Sequence, residues 1–427
     1  MICSRRFQTP YAPLMKEQMM NQKMAVDQQV DYLMQGTQYG DEALKRAMAE
    51  ELRLRLSEAQ DAGRPLQVYC GFDPRTSDLH LGHTVPMRKL RQFQELGHAV
   101  TFLVGNYTSR LGDPSDQDKL RPQLTEAEVE HNARTYAEQA YKVLDRSQTG
   151  VRYNAEWLSQ LSFAELIKLA SNFTIQQFLT RANFKLRWEH RDPIYLHETF
   201  YALMQGYDAY AMRADVQVGG TDQLFNIVTA ARKLMAALGE MPNIAIILDI
   251  LPGTDGEVKM SKSLGNHIPL LSSPEEMYGK VMSIPDIAMG KFFRLVTRWT
   301  PPEIAEIEAG MAAGRLHPRD VKMKLAREIV SIYHSPVLAG QAEQTFVHVF
   351  QQGEFPQELP VYVLQEGQTV LDVICAGGLV SSKTAGRRML SQNAVRLDGE
   401  TLTDPNQPFP RPGVLQVGKR RHLQVKI

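Results

Sequence analysis

The sequence predicts an α/β protein built on a doubly wound parallel sheet that carries a helical insertion, followed by a helical region and a small α+β module. Short apolar runs that end in Gly or Pro alternate with segments of helical period. The alternation stops, then resumes after a long helical stretch. A proline-containing break near residue 356 sets off a last, basic segment.

Residues 1–24 hold little apolar pattern and are read as a weakly ordered extension. From Asp41 to Ala62, Leu44, Met48, Leu52 and Leu56 recur at intervals of four, the spacing of one helix face. "LQVYCGFDP" (Leu66 to Pro74) and "AVTFLVGNY" (Ala99 to Tyr107) read as strands, with the helix-like "VPMRKLRQFQELG" between them, closed by Gly97. Strand, helix, strand predicts a right-handed parallel crossover. "DVQVGG" (Asp215 to Gly220) and "IAIILDIL" (Ile244 to Leu251) repeat the pattern around "QLFNIVTAARKLMAALG". The chain therefore returns to one sheet after a mostly helical insertion at about 123–205, and the sheet domain spans 25–270. Residues 271–355 read as helical, and Pro356 and Pro360 mark a linker. The module at 362–427 carries nine Lys or Arg against five Asp or Glu, a net charge of +4.

Over the 427 residues, 48 Lys and Arg balance 48 Asp and Glu, so no global field draws the chain to DNA or to a membrane. Cys3, Cys70 and Cys375 lie too far apart for a C-x-x-C metal or redox motif. No run of 18 apolar residues and no secretory signal pattern is present, so a soluble, cytoplasmic protein is expected.

In "CGFDPRTSDLHLGH", Gly71 and Pro74 force a turn into a helix that Ser77 or Asp78 can cap, and His80 and His83 share one side of its first turn. Backbone N–H groups and the positive dipole end favour a phosphate there, and the imidazoles add donors. No third ligand stands at helical spacing, which disfavours zinc. In "DGEVKMSKSLGNHIP", Lys259 and Lys262 lie on a Gly- and Ser-rich loop without hydrophobic periodicity after the last strand. Cations on such a loop can meet charge that develops on a departing pyrophosphate. Tyr201, Gln205 and Asp208 stand at i, i+4 and i+7, a polar stripe bracketed by large apolar residues, as in a lined pocket. Gly219 and Gly220 after a strand allow close backbone approach, and Asp222 can accept from ribose hydroxyls. Lys383, Arg387 and Arg388 follow one another along a single helix of the C-terminal module, a pattern suited to phosphate contacts.

"HLGH" and "KMSKS", at the two ends of the doubly wound domain, resemble the paired signatures of class I aminoacyl-tRNA synthetases. "YCGFDP", "LMQGYDAY" and "VGGTDQLFN" narrow the resemblance to the tyrosyl-tRNA synthetase family, over about residues 25–427. It implies a Rossmann-like catalytic domain, a C-terminal S4-like RNA-binding domain and a homodimer. The implied substrates are L-tyrosine, ATP with its Mg2+, and tRNA(Tyr). By the same resemblance, Tyr69 and Asp208 hold the phenol hydroxyl, and Tyr201, Gln205 and Asp113 receive the α-ammonium group. Asp73, Gly220 and Asp222 serve ATP, with Gln223 on the aminoacyl side. Tryptophanyl relatives are disfavoured, since Tyr69 and Asp208 suit a phenol better than an indole. Three positions depart from the family pattern: Ser109 and Asp116 replace frequent glycines, and Arg75 replaces a phosphate-binding threonine.

Overall fold

β1 (Gln67–Phe72), β2 (Ala99–Val104), β3 (Thr149–Tyr153), β4 (Val216–Gly220) and β5 (Ile244–Leu248) form one sheet in the order β3-β2-β1-β4-β5. Every neighbouring pair is parallel. The computed structural model describes residues 24–74, 78–115, 125–351, 359–365, 367–380, 382–418 and 421–426. The expected N-terminal extension up to residue 23, Cys3, Arg75, Ser77, Asp116 and Pro356 lie outside them.

The chain moves outward from β1 through β2 to β3, then crosses back to β4 and β5. Its direction splits between β1 and β4, so the crevice for a ligand opens beyond the carboxyl ends of those two strands. β5 is buried along its whole length, as a parallel strand covered on both faces must be.

The mostly helical insertion also supplies β3, which adds an edge strand to the sheet. Its sequence, TGVRY, has little apolar content because an edge strand needs little, and its residues are exposed or half-buried. "QLFNIVTAARKLMAALG" is not one α-helix but a 3-10 turn (Thr221–Gln223), a π-helical stretch (Phe225–Ala231) and an α-helix (Arg232–Ala237). The π stretch packs against helix Leu196–Ala211 where Gly206 allows close approach. A Cβ at Gly206 would lie 2.7 Å from Leu234 Cδ1 and 3.3 Å from Ala231 Cα.

The chain divides into two compact units, one up to Gly340 and one from Gln341. In the first, helices Pro274–Met282, Met289–Val296, Pro301–Ala312 and Pro318–Tyr333 follow the sheet. Thr84, in helix Leu81–Glu95, and Tyr333 share a buried hydrogen bond of 2.7 Å. The second unit is α+β, with a mixed sheet in the order β6-β10-β9-β7-β8. Its strands are β6 (Val361–Val363), β7 (Val395–Leu397), β8 (Glu400–Thr401), β9 (Gly413–Val417) and β10 (Arg421–Lys426). Helices Val370–Ala376 and Lys383–Ser391 contribute Leu371, Ile374 and Leu390 to a core shared with Leu415 and Val425.

At the amino ends of β1 and β4, away from the crevice, Asp215 accepts from Arg55 Nη1 (2.9 Å), Arg64 Nη1 (2.7 Å) and the Gln67 amide (2.9 Å). Burial alone raises the Asp215 pKa. The bonds from Arg64, Gln67 and Arg55 outweigh it and hold the carboxyl below its ordinary range. Removing the carboxylate strands a buried guanidinium, so Asp215→Ala is expected to cost about 3 kcal/mol in chemical denaturation. Because the folded pKa is depressed, this stabilisation is full above the unfolded value of about 3.9 and fades as pH falls below it. The gap between wild type and variant should therefore narrow in acid.

Candidate active site

Helix Leu81–Glu95 begins beyond the end of β1, and its cap is made by histidines. His80 is the N-cap, and its Nδ1 accepts the Gly82 N–H at 3.1 Å; His83 Nδ1 accepts the His80 N–H at 3.2 Å. This corrects the expectation that Ser77 or Asp78 caps: the imidazoles take the role that a Ser and Glu pair fills in a capping box. With both Nδ1 atoms accepting, the proton of each neutral ring sits on Nε2. The ring centroids stand 3.9 Å apart. Burial pushes His80 down to about 2, helped by the charges of His83, His267 and Lys259. Burial and Lys259 push His83 down to about 4. Neutral imidazoles at physiological pH thus supplement a helix N-terminus, without a charge of their own. The glycine between them is steric: a Cβ at Gly82 would meet His80 Cε1 at 2.9 Å and Met260 Cβ at 3.5 Å.

The lysine loop packs better than its sequence predicts. Met260 is buried, and the Asn266 amide group ties the loop together by donating to Asp255 Oδ2 (2.6 Å) and accepting from the Ser261 N–H (2.8 Å). The chain then runs back along the start of helix Leu81–Glu95. Leu81 N donates to Ile268 O at 3.0 Å, and Leu270 N donates to Leu79 O at 2.9 Å. The two segments that carry the histidines and the lysines are thereby stitched together. Lys259 Nζ donates to Asp222 Oδ2 at 2.7 Å and Lys262 Nζ to Asp78 Oδ2 at 2.9 Å, with about half of each lysine side chain exposed.

Several residues expected to bind the amino acid lie near one another. Helix Leu196–Ala211 presents Tyr201, Gln205 and Asp208, while Tyr69 projects from β1 and is almost fully buried. Tyr201 Oη donates to Asp73 Oδ2 (3.1 Å), Thr108 Oγ1 donates to Asp73 Oδ1 (2.7 Å), and Gln223 Nε2 donates to Asp113 Oδ2 (2.5 Å). Gly105 leaves room for the Asp73 carboxylate, which a Cβ there would strike. Burial pushes Asp208 up to about 8, opposed by hydrogen bonds from Trp157 Nε1 (2.7 Å) and Asn154 Nδ2 (3.2 Å). Burial likewise raises Tyr69 and Tyr201. Tyr69 Oη and Gln205 Oε1 are buried without a hydrogen-bond partner, a costly state for polar atoms unless a ligand completes them.

Sequence reasoning missed Trp157 and Asn154. They lie just after β3, so their place at the pocket floor could not be inferred without that strand. Ser109 fits without strain, since its residue lies in helix Thr108–Leu111 and its Oγ donates to Gly105 O at 2.5 Å. In the second unit, Lys383, Arg387 and Arg388 all lie exposed on helix Lys383–Ser391, and Lys383 Nζ reaches Asp372 Oδ1 at 3.1 Å.

A parallel sheet split between β1 and β4, with imidazoles and lysines converging at its carboxyl edge, defines an α/β nucleotide-binding enzyme of the class I synthetase type. The chain matches the model of tRNA synthetases class I (W and Y) over residues 60–351 and belongs to that family. It is 48% identical over 390 residues to the tyrosine–tRNA ligase of Moorella thermoacetica, covering 90% of this chain and 94% of that relative. Against the tyrosine–tRNA ligase of Carboxydothermus hydrogenoformans it is 44% identical over 398 residues, covering 90% and 97%. The crystal structure of tyrosyl-tRNA synthetase from Archaeoglobus fulgidus, complexed with L-tyrosine, shares the fold with a TM-score of 0.58 at 22% identity. That alignment covers 75% of this chain and 100% of that one.

The capping geometry predicts that neither His80 nor His83 titrates between about pH 5 and 8 in the ligand-free protein. Imidazole NMR resonances measured across that range should stay flat. A midpoint above about 6 for either ring would mean that it is solvated and that the cap is open.

Proposed function

We propose that the chain is a tyrosine–tRNA ligase. It activates L-tyrosine with ATP to tyrosyl-adenylate and pyrophosphate, then transfers the tyrosyl group to the 3′ end of tRNA(Tyr). The observation that carries this reading is the buried, unpartnered Tyr69 hydroxyl beside Asp208. A hydroxyl and a carboxyl buried together suit a phenol, and phenylalanine would leave both without it.

In the first step a tyrosine carboxylate oxygen attacks the α-phosphorus of ATP and the bond to pyrophosphate breaks. Tyr69 and Asp208 hold the phenol, while Asp113, Tyr201 and Gln205 receive the α-ammonium group and Gln223 lines the aminoacyl side. Gly220 admits the nucleotide close to the backbone, Asp222 accepts from the ribose, and Asp73 sits between the two substrates. His80 and His83 donate from Nε2 to phosphate oxygens. Lys259 and Lys262 leave their acids for the triphosphate, which is feasible because half-exposed ion pairs are worth about 1 kcal/mol or less. Among the described residues no cluster of three or more His, Cys, Asp or Glu is arranged to hold a metal ion. Asp73 is the carboxylate that would face a Mg2+ ion brought by ATP, which would screen phosphate charge there. In the second step a ribose hydroxyl of the tRNA attacks the tyrosyl carbonyl and AMP leaves.

The second unit is proposed as the S4-like RNA-binding domain, with Lys383, Arg387 and Arg388 on tRNA phosphates. A homodimer is proposed through the insertion, where Phe163, Ile167, Trp188 and Leu196 stand exposed. No helix among the described residues is long and apolar enough to cross a membrane, and a cytoplasmic location is proposed.

Exchange of radiolabelled pyrophosphate into ATP should depend on tyrosine. Lys259→Ala and Lys262→Ala should each lower its turnover by about a hundredfold, with tyrosine binding unchanged, because their charges act on the departing pyrophosphate. Exchange driven by tryptophan instead would sink the specificity claim. Tyr69→Phe should lower the preference for tyrosine over phenylalanine about tenfold, the loss of one buried hydrogen bond. An unchanged ratio of kcat/KM values would remove Tyr69 from the phenol site.

A further inference from the structure

Arg181 is a buried cation that the roles above leave unused. It is the N-cap of helix Ala182–His190, its side chain is 4% exposed, and its guanidinium carbon lies 5.0 Å from the Phe184 ring centroid and 5.2 Å from that of Phe225. Its Nη2 donates to Ser115 Oγ at 2.7 Å and stands 3.9 Å from Asp113 Oδ1. The next residue but one completes the grip, with Asn183 Nδ2 donating to Pro114 O at 2.7 Å. Ser115 N in turn donates to Asp113 Oδ1 at 2.9 Å, and Gln223 holds the other carboxylate oxygen. The start of one helix therefore fixes residues 113–115 at a carboxylate, a carbonyl and a hydroxyl.

We infer that Arg181 is a positioning residue for amino-acid recognition, clamping Asp113 in the orientation that an α-ammonium group requires. The inference rests on the proposed role of Asp113. Two aromatic faces stabilise the guanidinium where water is excluded. Its planar fork can face a hydroxyl and a carboxylate together, a geometry that a lysine cannot reproduce.

The test compares binding of tyrosine with binding of 3-(4-hydroxyphenyl)propionate, which lacks the ammonium group, by calorimetry on the full-length protein. Arg181→Met should weaken tyrosine about tenfold and change the analogue less than twofold, and Arg181→Lys should restore only part of the difference. Ser115→Ala, a milder change that removes one anchor of the clamp, should shift the ratio in the same direction and serves if Arg181→Met does not fold. Equal losses for both ligands, or no loss for either, would overturn the inference and leave Arg181 a structural tie. Asp113→Asn separates the two claims. If it leaves the ratio intact, the ammonium role of Asp113 itself falls. If it collapses the ratio while the Arg181 and Ser115 variants do not, only the clamp is wrong.

Discussion

Two backbone hydrogen bonds hold the site together. Leu81 N to Ile268 O and Leu270 N to Leu79 O join the start of one helix to the exit of a loop almost two hundred residues later. Side chains alone could not do this, because lysines on long stems tolerate many positions while a backbone ladder tolerates one register. Once the ladder forms, Gly82 lies close to Met260, and Lys259 and Lys262 reach Asp222 and Asp78. The requirement for Gly82 follows from the same closeness, since a side chain there would press on His80.

The ligand-free site stores its cations on acids that belong to it. Asp222 holds Lys259 and Asp78 holds Lys262, in pairs exposed enough to be weak. Weakness is useful here, because a strong buried pair would compete with the triphosphate for the lysines. The histidines follow the opposite logic. Their Nδ1 atoms are spent on the helix cap, which locks ring orientation and leaves Nε2–H as the donor without any ionisation step. Mobile charges and fixed neutral donors would thus divide the work at the proposed phosphate site.

The apolar strands and the helices with clear period were legible in the sequence because burial on two faces leaves no choice of residue type. So were the residues whose chemistry is unusual for their setting: paired histidines at a helix start, lysines in a loop, an acid within an apolar helix. Elements defined by contacts rather than composition were not legible. β3 is an exposed edge strand of five ordinary residues, and Trp157 and Asn154 could be placed only after it. The histidine cap was hidden because Ser and Asp nearby are better caps by intrinsic preference, and local preference lost to the tertiary packing of His80 and His83. Arg181 gave no signal either, since an isolated arginine in a mixed segment reads as surface until Phe184 and Phe225 close over it.

Asp73 links the two halves of the proposed pocket. Its Oδ2 takes the Tyr201 hydroxyl from the amino-acid side, and its Oδ1 takes the Thr108 hydroxyl from the loop after β2. Thr108 Oγ1 also accepts from Asn154, whose amide reaches Asp208. A continuous chain of hydrogen bonds therefore runs from the carboxyl at the pocket floor to the one at the nucleotide end. Satisfied networks of this kind in a low dielectric fix the orientation of every member. A phenol that pairs with Tyr69 and Asp208 meets a site whose far end is already aligned. A ligand that makes no bond to Asp208 gains nothing from that alignment, because the members of the chain hold one another in place.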